Sequence, residues 1–391
     1  MAKKQLKKLT IRLLPILING FRSVLNPIFS ISFSFIIVNY FSKNLWGNFV
    51  EYLLFFLIAT VISGWGNKNY LLRVFSENPK EMTSNWQQLF LARLPICILF
   101  IIALYFLYPK HLFLYLILWL FGAFLHNSFL SIIYYNRDYI KSISIEAIGF
   151  IALITQLLLL KNELDLTLLI KSYAISIGIK AMVSIIYYHS FLKFEKISFQ
   201  LHMLLLSFPF FILGVSGFLQ SKIDVYAYSF FYDGKPLGEY QIISGFYIFA
   251  QSLVTLLSFP FVKNFYRLKG ESIKNLKTLI IKYGIIINLI MVGIIYATLW
   301  YGYKIKLSLL QICIGYFISF PSYVYTTHIY NLIRNKKESI VARICVFSFI
   351  INLLLSLLFL YLDYNVTGVM LANAISQLFC MFYALKYKID E

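Results

Sequence analysis

Lys180 stands near the middle of an apolar stretch over residues 166–190, and Arg22 lies as deep in another over 11–38. A cation at bilayer mid-depth costs at least about 2.5–3.5 kcal/mol, so each asks for a reason. Guanidinium and ammonium groups are pure donors that take phosphate oxygens in charge-assisted hydrogen bonds. Together they would hold a large anion. Near Arg22, the residues Asn19, Ser23, Asn26 and Ser30 fall within about 100° of arc at about 100° per residue. The seventh apolar stretch gathers Gly214, Gly217, Gln220, Ser221, Asp224 and Tyr228 on a similar face, with Lys222 off it. The sixth aligns Ser172, Ser176, Lys180 and Tyr187; the tenth aligns Tyr316, Ser319, Tyr323, Thr326 and Tyr330, with Pro321 as a kink. Polar faces on four apolar stretches imply a wet cavity, since lipid would leave those groups unpaired.

Asp224 and Glu146 are the carboxylates able to bind a coupling proton or sodium ion. Plainer readings stand beside these. Small and hydroxyl residues at helical spacing let helices pack closely. Arg22 and Lys180 can be structural partners of Glu51, Glu146 or Asp224, because buried charges usually pair. Lys171 and Lys222 lie near outer ends, where long side chains snorkel to the headgroups. His126 and His328 have no ligand-like neighbour in sequence and read as packing. Cys97, Cys313, Cys345 and Cys380 are scattered singly, without metal or redox spacing. The sequence carries no phosphate loop, dinucleotide fingerprint, HExxH or nucleophile elbow, so no metal, cofactor or catalytic set is expected.

The elements that must position these residues are membrane helices. Sixty per cent of the residues are apolar, 19% are aromatic, and mean hydropathy is +0.77. At about 30–35 residues per span and connection, the chain holds about twelve spans. They are expected near 11–38, 45–66, 86–108, 111–135, 142–160, 165–190, 200–230, 237–262, 279–300, 305–333, 339–361 and 365–387. The basic stretch before the first run resembles a signal peptide, but Pro15, Asn19 and Arg22 interrupt that run and it is too long, so it is read as a retained helix.

The net charge of +19 sorts by side. With the N-terminus cytoplasmic, Lys43, Lys110, Lys161, Lys235, Lys304 and Lys306 fall outside. Arg22, Lys171, Lys180 and Lys222 fall within spans, and all other Lys and Arg residues, Arg93 among them, fall at or near the inner face. This is the positive-inside pattern, which reports topology and anionic lipid rather than nucleic acid. Both termini are therefore expected in the cytoplasm.

The chain echoes itself. Gly47-x-Phe49 matches Gly238-x-Tyr240 at an offset of 238 − 47 = 191, and Tyr135-Asn136 matches Tyr330-Asn331 at 330 − 135 = 195. Two six-helix lobes, 1–195 and 196–391, follow, related by an axis along the membrane normal with the substrate path between them. The larger loops, about 67–85 and 263–278, suit amphipathic helices on the inner surface. External connections are short, which disfavours glycosyltransferases and polymerases with external catalytic loops.

The segment SFPFFILGVSGFLQSKIDVYAYSFFYDGKPLGEYQIISGFYIFAQSL at 207–253 resembles the middle signature of bacterial polysaccharide flippases. Its first-half echo at 42–76, and VTGVMLANAISQLF at 366–379, carry the likeness further. The resemblance implies the multidrug/oligosaccharidyl-lipid/polysaccharide (MOP) superfamily and, within it, an O-antigen or capsule-unit (Wzx-type) translocase of the bacterial inner membrane. It implies an all-α fold of two six-helix lobes, with Asp224 and Gly238–Tyr240 as signature positions and Arg22 as a cavity cation. The implied cargo is undecaprenyl-pyrophosphate-linked oligosaccharide; the implied partners are membrane lipids, a polysaccharide polymerase and a chain-length regulator.

The expected activity is thus translocation rather than catalysis. Arg22 and Lys180 hold the diphosphate, and Asn19, Asn26, Gln220, Tyr316, Tyr323 and Thr326 line the cavity. Two alternatives stay open: a cation-coupled drug exporter of the same superfamily, and a membrane polymerase or glycosyltransferase.

Overall fold

Long apolar runs without alternation satisfy their backbone groups in lipid by internal helical hydrogen bonding, and the computed structural model of the chain follows that rule throughout. It describes residues 2–161, 163–193, 200–258, 271–335 and 337–387, with the side chains of 2–17, 255–258, 271–274 and 276 left aside. Among the described residues there are thirteen α-helices and no strand. In chain order they are α1 Ala2–Tyr40, α2 Lys43–Gly64, α3 Asn67–Glu77, α4 Met82–Leu107, α5 Phe113–Asn136, α6 Tyr139–Leu159 and α7 Leu166–Tyr188. The second half gives α8 His202–Ser229, α9 Gly234–Ser258, α10 Glu271–Ala297, α11 Leu309–Arg334, α12 Glu338–Tyr361 and α13 Asn365–Leu385.

Eleven helical stretches among the described residues are long and apolar enough to cross a membrane. This is an all-α, multi-pass membrane protein. The remaining expected span, 237–262, corresponds to α9, which is not one of the eleven. Polar residues such as Glu239, Gln241, Ser244 and Gln251 interrupt its apolar sequence, and its expected end at 259–262 lies outside the described residues. The expected surface helix over 263–278 likewise lies outside them as far as 270; from Glu271 onward the chain is already in α10. The other expected surface helix differs more. Within 67–85, α3 buries Asn67, Tyr70, Leu71 and Phe75, and Phe75 meets Tyr135 of α5 edge-on at 5.6 Å. Its amphipathic face is covered by protein.

Contacts gather the residues into two compact units, Met1–Arg22 with Glu51–Val215, and Ser23–Val50 with Ser216–Glu391. Both α1 and α8 are divided, at positions 215 − 22 = 193 residues apart, a spacing within the range of the internal echo.

Each unit has local devices that aim its helices. In the first, α5 ends at Arg137, whose φ of 59° closes a left-handed cap in which the Asp138 amide donates to the Ile133 carbonyl at 2.9 Å. After this two-residue link α6 begins, so the end of α5 and the start of α6 are held together. Asp165 caps α7, accepting from the Leu168 amide at 2.7 Å. In the second unit, Ser308 and Gln311 form a capping box that starts α11. There α2 and α9 approach backbone to backbone, because Gly47 and Gly238 present no side chain at the crossing.

Candidate functional site

The deep cations of the first unit meet on α6. Lys180, on α7, donates to Glu146 Oε2 at 2.7 Å, the side chains being 18% and 9% exposed. Gly149, one turn above Glu146, leaves the groove in which the Lys180 stem lies; a Cβ there would collide with that stem. Arg22, on α1, donates through Nε to Ser142 Oγ at 2.7 Å. Ser142 and Glu146 are four residues apart, so the two groups that these cations contact lie about one helical turn from each other along a single face of α6. The guanidinium also lies 4.3 Å from the Tyr134 ring centroid, and Lys68 Nζ lies 4.1 Å from the same ring. Among the described residues, neither Arg22 nor Lys68 has an ion-pair partner. Of the three cations only Lys180 contacts Glu146; one turn before Ser142, at the start of α6, a second carboxylate, Asp138, pairs with Lys141 at 3.1 Å. Of the pairings open to Lys180, the one with Glu146 is realised.

His126 completes the row. Its Nδ1 is 2.9 Å from Ser184 Oγ, and its Nε2 is 3.2 Å from Glu146 Oε1. Glu146 is therefore shared between an imidazole and an ammonium. This corrects the reading of His126 as simple packing: its partners lie on α6 and α7, at sequence distances no local pattern reveals. The polar stripe of α7 is largely spent on helix contacts, with Ser176 donating to the Gly149 carbonyl at 2.7 Å and Ser184 to the Lys180 carbonyl at 2.7 Å.

Arg93 is a further cation of the first unit. Counted at the inner face, it is fully buried within α4. Its guanidinium donates to the carbonyls of Leu89 at 3.3 Å and Gly64 at 3.3 Å and to Ser128 Oγ at 2.9 Å, and lies 5.1 Å from the Phe124 ring centroid. Gly64 is the last residue of α2, so the cation sits at the negative end of a helix dipole. With all three of its nitrogens donating to helix groups, Arg93 is a structural tie.

The second unit has its own buried charge. Asp224 on α8 accepts from Tyr240 Oη at 2.6 Å, from Asn373 Nδ2 at 2.9 Å and from Ser244 Oγ at 3.5 Å, all through Oδ2. Asp224 Oδ1 and Asn373 Oδ1 are buried without hydrogen-bond partners among the described residues. Two such oxygens, one from a carboxylate, suit a proton or a hard cation. Lys222, expected to snorkel from near an outer end, lines a cavity with Trp46 and Gln241.

The remaining expected residues divide between the units. Asn19 is buried in the first, whereas Asn26 is exposed on the part of α1 that belongs to the second. Gln220 donates to Cys380 Sγ at 2.9 Å. On α11, Tyr316 stacks on Phe320 with centroids 5.4 Å apart, Tyr323 donates to the Ala250 carbonyl at 3.0 Å, and Thr326 donates to the Ser322 carbonyl at 2.6 Å.

No family model matches the sequence, and no curated protein does. Solved structures match along nearly all of it. Lipid II flippase MurJ, in an inward closed conformation, superposes with a TM-score of 0.71 over 96% of this chain and 87% of that one, at 18% identity. An outward-facing multidrug resistance MATE family transporter of the MOP superfamily gives 0.58 over 97% and 94%, at 14% identity. A MATE transporter of Vibrio cholerae gives 0.58 over 97% of each chain, at 13% identity. The fold of this chain is therefore similar to that of the MurJ and MATE transporters over almost its whole length, as the resemblance to the MOP superfamily leads one to expect.

Proposed function

We propose that the protein moves undecaprenyl-pyrophosphate-linked oligosaccharide units across the bacterial inner membrane, from the cytoplasmic to the periplasmic leaflet, for surface polysaccharide. The observation that carries this reading is the cluster along α5 and α6, where Arg22, Lys68, Lys141 and Lys180 outnumber the carboxylates Glu146 and Asp138. A site with surplus positive charge in a low-dielectric surrounding attracts a multiply charged anion and repels a cationic drug. The head of the cargo supplies that anion, and its sugars cannot cross hydrocarbon unaided. Its polyprenyl tail can stay in lipid while the head passes through the protein. Arg22 would clasp diphosphate oxygens with its planar fork, and Lys180 would exchange Glu146 for the incoming phosphate. An inside-negative potential favours outward passage by about 2.3 kcal/mol per uncompensated negative charge per 100 mV.

Arg22→Ala and Lys180→Ala are expected to abolish surface polysaccharide while the protein remains abundant in the membrane. Undecaprenyl-linked glycan should then accumulate on the cytoplasmic leaflet. Normal surface polysaccharide in both variants overturns the reading.

Asp224 gives the drug-exporter alternative one observation in its favour, because a fully buried carboxylate with an unpartnered oxygen suits cation coupling. The same carboxylate can equally couple glycan export to a proton or sodium gradient. Drug-sensitivity profiling of a deletion strain separates the two: a broad gain in sensitivity to cationic drugs with intact surface glycan selects the exporter.

A further inference from the structure

In the second unit, a cavity of about 160 Å³ is lined by Lys222 of α8, Trp46 of α2, and Gln241, Phe246 and Phe249 of α9. Two of its polar residues are nearly fully buried, Trp46 at 3% exposed and Gln241 at 8%. The indole Nε1–H of Trp46 and the Oε1 of Gln241 have no hydrogen-bond partner among the described residues. Lys222 has no ion pair among them either. Neither of the two neighbouring carboxylates lies at ion-pair distance from Lys222. Glu239 is paired with Lys43 at 2.7 Å, Asp224 is held by Tyr240 and Asn373, and neither lines the cavity.

The chemistry of these groups narrows the ligand. An ammonium and an indole N–H only donate, so their partner must be an acceptor, and a Lys222 with no carboxylate at ion-pair distance among the described residues, in a largely apolar wall, makes an anion the favourable one. The Gln241 oxygen needs the opposite, a hydroxyl that donates. The faces of Phe246 and Phe249 suit the C–H surface of a ring. A water takes a share of liquid volume of about 30 Å³, so the space exceeds what one water or a halide ion fills. We infer that the Lys222 cavity is a second anion site, separate from the cluster along α5 and α6, which takes a single oxyanion that also carries a hydroxyl. Such chemistry comes from the carboxylate of an acidic sugar or from hydrogen phosphate. The acidic-sugar source rests on the function proposed above; the free ion does not.

The test uses the full-length protein in detergent micelles, carrying Arg22→Ala so that the cluster along α5 and α6 contributes little. Thermal unfolding midpoints are followed during titration with glucuronate, with inorganic phosphate and with glucose, at constant ionic strength. The expected result is a saturable rise with at least one oxyanion and none with glucose, as binding to the folded state stabilises it. Lys222→Met keeps the side chain's length and removes a buried charge, so it should fold; it is expected to weaken the response about tenfold or more. Trp46→Phe keeps a ring, removes the N–H and should weaken it about threefold. A response to glucuronate alone assigns the site to an acidic sugar, one to phosphate alone assigns it to the free ion, and one to both supports the shared oxyanion chemistry. The inference is overturned if neither oxyanion gives a saturable rise, if glucose matches them, or if the rise survives Lys222→Met unchanged. A blank titration leaves the export phenotype of Arg22→Ala untouched, so failure here and failure of the proposed function remain distinguishable.

Discussion

Glu146 is the residue on which the electrostatics of the first unit turn, because it accepts from His126 on one oxygen and from Lys180 on the other. Removing one member of a buried ion pair costs about 3–5 kcal/mol, whereas replacing both with neutral groups is often close to neutral. The partial exposure of Lys180 places the cost here toward the lower end. Lys180→Met should therefore depress the thermal midpoint more than Lys180→Met combined with Glu146→Gln. The same pair of variants also separates structural from functional work. A diphosphate ligand requires the ammonium, so the double variant should stay folded and still fail to export glycan. If export returns with stability, Lys180 serves only to neutralise Glu146.

Between elements, the tightest constraint is the approach of α2 to α9. A Cβ at Gly47 would collide with the Gly234 carbonyl, and one at Gly238 would come within 2.9 Å of the Gly47 amide nitrogen. Backbone offers no side chain that can move aside, so the helices themselves would have to part. Gly245, on the same α9, would meet nothing within 4 Å. In a helix interior, alanine is favoured over glycine by about 1 kcal/mol. Gly47→Ala is accordingly expected to lower the thermal midpoint and the yield of folded protein, while Gly245→Ala leaves both unchanged or slightly raised. Equal effects at the two positions would show that the crossing is not held by close backbone contact.

For the whole molecule, the charge distribution gives an expectation of which connections face which compartment. From the charge pattern, the link at Arg137–Asp138 is expected on the inner side and the one near Lys110 on the outer side. A periplasm-dependent reporter enzyme fused after Lys110 should be active, and the same reporter fused after Arg137 should be silent. The reverse pattern would invert the topology and, with it, the direction in which the membrane potential drives an anion.

Sequence by itself determined the fold class. Long apolar runs must become helices in lipid, and that constraint needs no knowledge of partners. The deep positions of Arg22 and Lys180 were legible for the same reason, since a charge within an apolar run stands out against its cost. What the tertiary structure decided is which distant groups meet. Nothing in the spacing of Lys180, Glu146 and His126 says that α5, α6 and α7 bring them to one carboxylate, nor that Arg22 and Lys68 share the ring of Tyr134. Arg93 lies in the first half of α4, and its sequence neighbours do not mark it as buried. Only the packing of α2, α4 and α5 around it buries it and supplies its acceptors. The same holds for Lys222, whose cavity is made by residues about 176 and 19 positions away in Trp46 and Gln241. Helical periodicity fixes the direction of a side chain relative to its own axis; the group it meets depends on the neighbouring helix, which long-range packing alone selects.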